Sequence, residues 1–241
     1  MFYLIGLGLD LKSISSYALE IIPQCERIYV ESYTIKLPYT KEDLEAMLRR
    51  EIFFLERKDV EEESFLQEAK NKNIALLVYG SPLMATTHIS LLLKCKKEKI
   101  PYRVIHNASI FDAIAETGLQ IYKFGKTASM PQWSSSYKPA SFLEVIKENQ
   151  SRDAHTLVLI DIGLSFKDAL RQFRGTVEEL SFEKMLVCSM MGTERQKIFY
   201  DALENFENAK IKIEEPFCFI IPGKLHFLEE EMLNFYDSER A

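Results

Sequence analysis

The 241-residue chain carries 30 Lys and Arg against 36 Asp and Glu, a net charge of −6, and 47% of its residues are apolar. That is enough apolar material for a full core, which excludes a disordered chain, and the acidic balance gives no basic footprint for nucleic acid. No apolar run approaches the roughly 18–20 residues a membrane helix needs, and Met1 enters the apolar stretch 2–9 with no basic region before it, so the reading is a cytoplasmic protein without a signal peptide.

Short runs rich in β-branched and aromatic residues alternate with helical patterns from the start. Strands are predicted over 2–6, 27–33, 52–55, 74–79 and 102–106, and helices over 12–22, 41–50, 63–71 and 87–98. In the last helix Ile89, Leu92, Leu93 and Lys96 share a face, and 94–99 gives a solvated basic end that suits the helix dipole. Such alternation implies a parallel or mostly parallel sheet covered on both faces. A short hinge near 107–110 separates an N-terminal α/β domain, 1–108, from a C-terminal one, 109–241. Beyond it the pattern changes. The stretch 122–129 (YKFGKTAS) alternates like a strand with one wet face, further strands fit 156–162, 185–190 and 216–221, and helices fit 111–118, 140–150, 165–173, 194–205 and 225–236. Two closely packed domains leave a cleft, where ligands prefer to bind.

Cys25, Cys95, Cys188 and Cys218 are too far apart for a CxxC pair and read as reduced, buried thiols. His88, His106, His155 and His226 are equally scattered, so no metal site is predicted.

Four loops stand at strand ends. In Gly6-Leu7-Gly8-Leu9-Asp10 small residues let a ligand approach the backbone, or simply turn the chain. A dinucleotide fingerprint fails there, because Leu11 stands where the third glycine belongs, which counts against an NAD dehydrogenase. In GSPLMATTH, 80–88, Gly80 ends a strand, Pro82 fixes φ, and Thr86 or Thr87 can cap the next helix. Free amides at that helix start would favour a carboxylate or phosphate. In IHNASIFDA, 105–113, Ser109 is a candidate N-cap with Asp112 at the capping-box distance. In IIPGKLH, 220–226, a Pro-Gly turn precedes a helix that begins near His226. Glu229, Glu230 and Glu231 read as a solvated face, and Trp133 lies in a polar loop as a lid or a surface filler.

These loops, in this order, together with YLIGLGL (3–9), TGLQIYKFGKT (117–127) and IIPGKLHFLE (220–229), resemble the diphthine synthase family. Its members are methyltransferases of the class III, tetrapyrrole-methylase-like fold. The resemblance runs from Phe2 to about position 231. It implies two α/β/α domains with S-adenosylmethionine in the cleft between them. By position it assigns cofactor contacts to Leu9, Ser81, Met84, Ser109, Ile110, Ile160, Met191 and His226. It also implies a homodimer and a protein substrate, elongation factor 2 bearing a 3-amino-3-carboxypropyl group on a histidine. The amino group of that side chain receives the methyls.

Two positions depart from the family. Gly80-Ser81-Pro82 stands where the family has Gly-Asp-Pro, and Met190-Met191 stands where it has an Ala-Arg stretch; the segment 163–184 is also short. An α-amino group with a pKa of about 7.7–8.0 is about one-tenth neutral at pH 7, so alignment rather than a strong base is the main task. No catalytic base is assigned; Thr86, Thr87 and His88 are the residues to test. The alternatives are a tetrapyrrole or corrin methyltransferase and a binding module that holds S-adenosylmethionine without turnover. The 117–127 stretch argues against the first.

Overall fold

The computed structural model describes residues 1–177, 180, 182–208 and 212–237. Two compact units make up the chain, Met1–Asp112 and Ala113–Ala241.

The first unit is built on β1 (Phe2–Gly6), β2 (Arg27–Glu31), β3 (Phe53–Leu55), β4 (Ile74–Val78) and β5 (Tyr102–Ile105), ordered β3-β2-β4-β1-β5 with every pair parallel. FYLIG and IALLV are apolar at every position because both faces of these strands are covered. Alternation sorts their side chains. Tyr3, Ile5, Ala75 and Leu77 pack with Ala18 of α1 (Ser16–Ile21) and Leu44 and Leu48 of α2 (Lys41–Leu48). Phe2, Leu4, Leu76 and Val78 pack with Val60 of α3 (Arg57–Glu62) and with Leu91, Leu92 and Cys95 of α4 (Ile89–Lys97).

The α4 stripe differs from the expected one. Leu92 is buried as expected, but Ile89 is 64% and Leu93 52% exposed. Leu91, Leu92 and Cys95 form an equally regular apolar stripe, and that stripe meets Phe2 and Leu4. The basic end is also less free than expected, since Lys94 pairs with Glu63 at 3.3 Å. The helix expected over 63–71 is a 3-10 helix, Ser64–Lys70, because Glu63 enters the left-handed region (φ 54°) and ends α3. The one expected over 12–22 divides into a 3-10 turn, Leu11–Ser13, and α1, which Ser15 caps.

α5 (Ile110–Ala113) runs to the first residue of the second unit, which goes on with a 3-10 turn, Ile114–Thr117. Its strands are β6 (Ala128–Met130), β7 (Thr156–Ile160), β8 (Met185–Ser189), β9 (Lys197–Asp201) and β10 (Phe217–Ile221), ordered β6-β7-β10-β8-β9. Only β6–β7 is parallel. The core joins Phe219 and Val187 to Phe142 and Ile146 of α6 (Ser141–Gln150), Phe173 of α7 (Phe166–Arg174) and Phe206 of α8 (Leu203–Asn208). α9 (Phe227–Leu233) is the last helix among the described residues.

Two sequence expectations fail in this unit. Most of the helix expected over 194–205 is strand β9, whose Lys-Ile-Phe-Tyr-Asp run pairs with β8 in the register Val187↔Phe199, and helix starts only at Leu203 with α8. Its aromatic and β-branched residues suit a pleated surface better than a helix. The strand expected over 122–129 is a 3-10 turn, Ile121–Lys123, then a bridge from Phe124 to His155, with pairing only from Ala128. All four cysteines are buried and free, and among the described residues no helix is long and apolar enough to cross a membrane.

Candidate active site

In the first unit β4, β1 and β5 are neighbours and parallel, so their C-terminal ends open at one edge of the sheet. The loops after them interlock. Gly8 and Gly80 exchange backbone hydrogen bonds at 3.1 and 2.9 Å. Gly8 has φ +75°, and a Cβ there would lie 2.2 Å from Ser13 Oγ, so only glycine fits. The Ser13 hydroxyl donates to Asp10 O at 2.6 Å and accepts from Asp10 N at 3.1 Å. Asn107, after β5, donates to Gly6 O at 3.3 Å and Ser13 O at 2.9 Å, tying the third loop to the first. Gly80 lies against Ser109, whose Cα would be 3.6 Å from a Cβ at that glycine.

This edge brings together five of the residues assigned by resemblance. Leu9, Ser81 and Ser109 are buried, Ile110 is half-buried, and Met84 is 44% exposed. Ser109 forms the expected cap: its Oγ accepts from Phe111 N at 3.2 Å, and Asp112 accepts from Ser109 N at 2.7 Å. The threonine caps do not form. α4 starts at Ile89 without a side-chain cap, and Thr86 Oγ1 instead donates to Pro82 O at 3.0 Å. His88 is buried and faces inward: Nδ1 donates to Pro82 O at 3.1 Å, and Nε2 faces the Tyr33 hydroxyl at 3.5 Å. That makes it a brace for the loop.

Two tyrosines stand behind the first loop. Tyr79 donates to Leu9 O at 3.1 Å. Tyr39 Oη is the one buried side-chain nitrogen or oxygen with no hydrogen-bond partner among the described residues. Burial, then Tyr79 and Asp10, push the Tyr39 phenol up; burial, then Asp10, push Tyr79 up.

The other three assigned residues lie in the second unit, at two different places. Ile160 ends β7 and Met191 follows β8, and these two parallel-running strands flank β10, so both residues lie at one end of the sheet. β10 runs the opposite way, with Ile221 opposite Thr156, which puts His226 beyond the other end. A five-residue strand spans about 13 Å, so Ile160 and His226 are not neighbours.

At His226 the sequence reading missed a buried polar cluster. Glu229, expected to be solvated, is 0% exposed. Its carboxylate accepts from Gln120 N at 2.9 Å, His226 N at 2.7 Å, His155 Nε2 at 3.1 Å and the Lys123 ammonium. Burial pushes this carboxyl up, but Lys123 and the other donors outweigh it and lower it to about 2. His155 accepts from Gly223 N at Nδ1, 2.9 Å, so its proton sits on Nε2, and burial lowers its pKa despite Glu229. His226 caps α9, accepting from Leu228 N at 3.3 Å. The signal for Glu229 was its spacing, three residues after a helix-start side chain, as in a capping box.

The first-unit edge offers hydroxyls, peptide groups and apolar side chains. That donor set suits an organic ligand with both polar and apolar parts. Among the described residues no group of three or more His, Cys, Asp or Glu could hold a metal ion. The profile for Tetrapyrrole (Corrin/Porphyrin) Methylases matches residues 1–207.

The chain belongs to the tetrapyrrole methylase family. Within it the chain stands among the diphthine synthases and is a methyltransferase. It is 36% identical to the diphthine methyl ester synthase of Bos taurus, over 98% of this chain and 95% of that one. It is 37% identical to the diphthine synthase of Methanocaldococcus jannaschii, over 98% of both. A crystal structure of diphthine synthase superimposes with a TM-score of 0.89 at 33% identity, covering 98% of this chain and 96% of the other. The tetrapyrrole-methylase fold expected from the sequence is thus the fold observed.

Proposed function

We propose that this methyltransferase uses S-adenosylmethionine to methylate the amino group of the 3-amino-3-carboxypropyl side chain on a histidine of elongation factor 2, giving diphthine. The interlocked strand ends of the first unit carry the reading, joined to nearly full-length similarity to proteins named diphthine synthase. Leu9, Ser81, Met84, Ser109 and Ile110 are the proposed cofactor contacts of that edge, with Ile160, Met191 and His226 as further contacts. Bound S-adenosylmethionine supplies an electrophilic methyl group on a sulfonium. The chain's own residues hold and orient. Leu9 and Ile110 offer apolar walls, Ser81 offers a hydroxyl, and His88 and Tyr79 keep the two glycine loops in register from behind.

No side chain at this edge is poised as a strong base, and none is needed for an amine that is about one-tenth neutral at pH 7. Positioning supplies the rate; held reactants gain roughly 7–11 kcal/mol. The enzyme acts in the cytoplasm as a homodimer on this reading. A second reading adds methylation of the side-chain carboxylate; the name of the bovine relative favours it.

The test is transfer of labelled methyl from S-adenosylmethionine. Label on elongation factor 2 bearing the aminocarboxypropyl-histidine, and none on the unmodified factor or on a corrin acceptor, supports the reading. Label on the corrin alone refutes it.

A further inference from the structure

The stretch 117–126 is held from both sides by features its sequence only hints at. Gly118 has φ +84°, and a Cβ there would lie 2.3 Å from Met232 Cγ, so the chain passes directly against α9. Gly125 is as tight against α6, where the buried Asn149 accepts from Lys126 N at 3.0 Å and donates to Lys126 O at 2.8 Å. Between these two clamps the turn 120–123 carries the exposed side chains Ile121 and Tyr122. Its main chain and Lys123 both close on the Glu229 carboxylate. One oxygen takes Gln120 N–H and His155 Nε2–H; the other takes His226 N–H and the Lys123 ammonium. Lys123 Nζ also donates to Lys224 O at 2.7 Å, in the loop that leads to His226.

We infer that Glu229 is a positioning residue of the methyltransferase: its buried carboxylate fixes the His226 main chain and the 120–123 turn as one unit. It touches no reacting atom. It acts through His226, and this inference rests on the reading of His226 as a cofactor contact. A helix cap alone would need from the Glu229 carboxylate only its capping-box bond from His226 N, while the His226 side chain accepts from the amides of the first turn. Three further donors, from the 120–123 turn and β7's leading edge, converge on the same group. The carboxylate therefore couples three separate segments, and their spacing depends on its charge and its two-oxygen fork.

The test uses the full chain and titrates S-adenosylhomocysteine by calorimetry, with no acceptor present. Glu229→Gln keeps the shape but puts an amide N–H against donors. Weakening of roughly tenfold is expected, the size of one hydrogen bond to a charged group. In steady-state assays the KM for S-adenosylmethionine rises while kcat changes less than twofold.

The double variant Lys123→Met with Glu229→Gln removes both charges together, which folds tolerate better than removing one. It regains thermal stability but keeps the weak binding if Glu229 positions. If it binds as tightly as the natural chain, Glu229 is merely structural and the inference fails. The double variant also decides the matter if Glu229→Gln alone does not fold. His226→Ala separates the two levels. Unchanged binding in His226→Ala overturns the underlying reading, while loss in His226→Ala with none in the Glu229 variants overturns only this inference.

Discussion

Replacing Gly8 by Ala puts a methyl group where the Ser13 hydroxyl sits. The backbone at Gly8 has φ +75°, and an ideal Cβ there lies 2.2 Å from Ser13 Oγ and 3.0 Å from Asn107 Nδ2. The left-handed conformation alone costs about 1–2 kcal/mol for an L-residue. Evicting Ser13 breaks its bonds to the Asp10 carbonyl and amide, about 0.5–1.5 kcal/mol each. The sum is about 2–5 kcal/mol of lost stability. Urea unfolding followed by far-UV circular dichroism measures it, with hydrogen exchange at the amides of β1 and β4 showing where the loss falls. The loss is local to the loop that presents Leu9, so affinity for S-adenosylhomocysteine falls at least tenfold with it. In a Ser13→Gly background the 2.2 Å clash disappears, the closest remaining contact is Asn107 Nδ2 at 3.0 Å, and the cost falls towards the backbone term of about 1–2 kcal/mol. A Gly8→Ala variant within about 0.5 kcal/mol of the natural chain, with unchanged affinity, would mean that the Ser13 hydroxyl is not displaced.

Tyr39→Phe removes the buried hydroxyl that has no partner, and raises stability by about 1 kcal/mol in urea unfolding; a clear loss contradicts the assignment of that hydroxyl. Stability falls with acid in two windows. The His155 pKa is lowered from 6.5, so below pH 6.5 the unfolded chain takes up the proton first and the fold weakens. The Glu229 carboxyl is lowered from 4.5 to about 2, so its contribution is complete above pH 4.5 and drains away as pH falls towards 2. His155→Gln removes the first of these windows in urea titrations at stepped pH, and an unchanged slope there counts against a buried neutral His155 beside Glu229 and Lys123. Ser81→Asp restores the family's carboxylate and tightens S-adenosylhomocysteine binding by about tenfold if Ser81 meets a donor of the ligand; no change in affinity removes Ser81 from the contact set.

The strands of the first unit were legible because FYLIG and IALLV are apolar at every position, a pattern that only a doubly covered strand or a buried helix allows. The ends of β1, β4 and β5 were legible too, since glycine, proline and small hydroxyls punctuate them. Periodicity could not fix the phase of α4, where Leu91, Leu92 and Cys95 compete with Ile89 and Leu93 for the core. Nor could it separate β9 from a helix, because β9 gains its place from pairing with β8, a contact that lies outside its own residues. Glu229 was hidden for the same reason. Three adjacent glutamates look like a wet surface, and the donors that make one of them a buried anchor come from positions 120, 123 and 155. His226 matched the family motif, yet its separation from Ile160 follows from β10 running antiparallel, which no local pattern reveals.

Whether the chain methylates its proposed acceptor is read by mass spectrometry of elongation factor 2 bearing the aminocarboxypropyl-histidine, incubated with this protein and S-adenosylmethionine. Stepwise additions of one methyl mass each, located on that one side chain, are expected. A factor that stays unmethylated, in a sample where the protein demonstrably binds the cofactor, would contradict the proposed function.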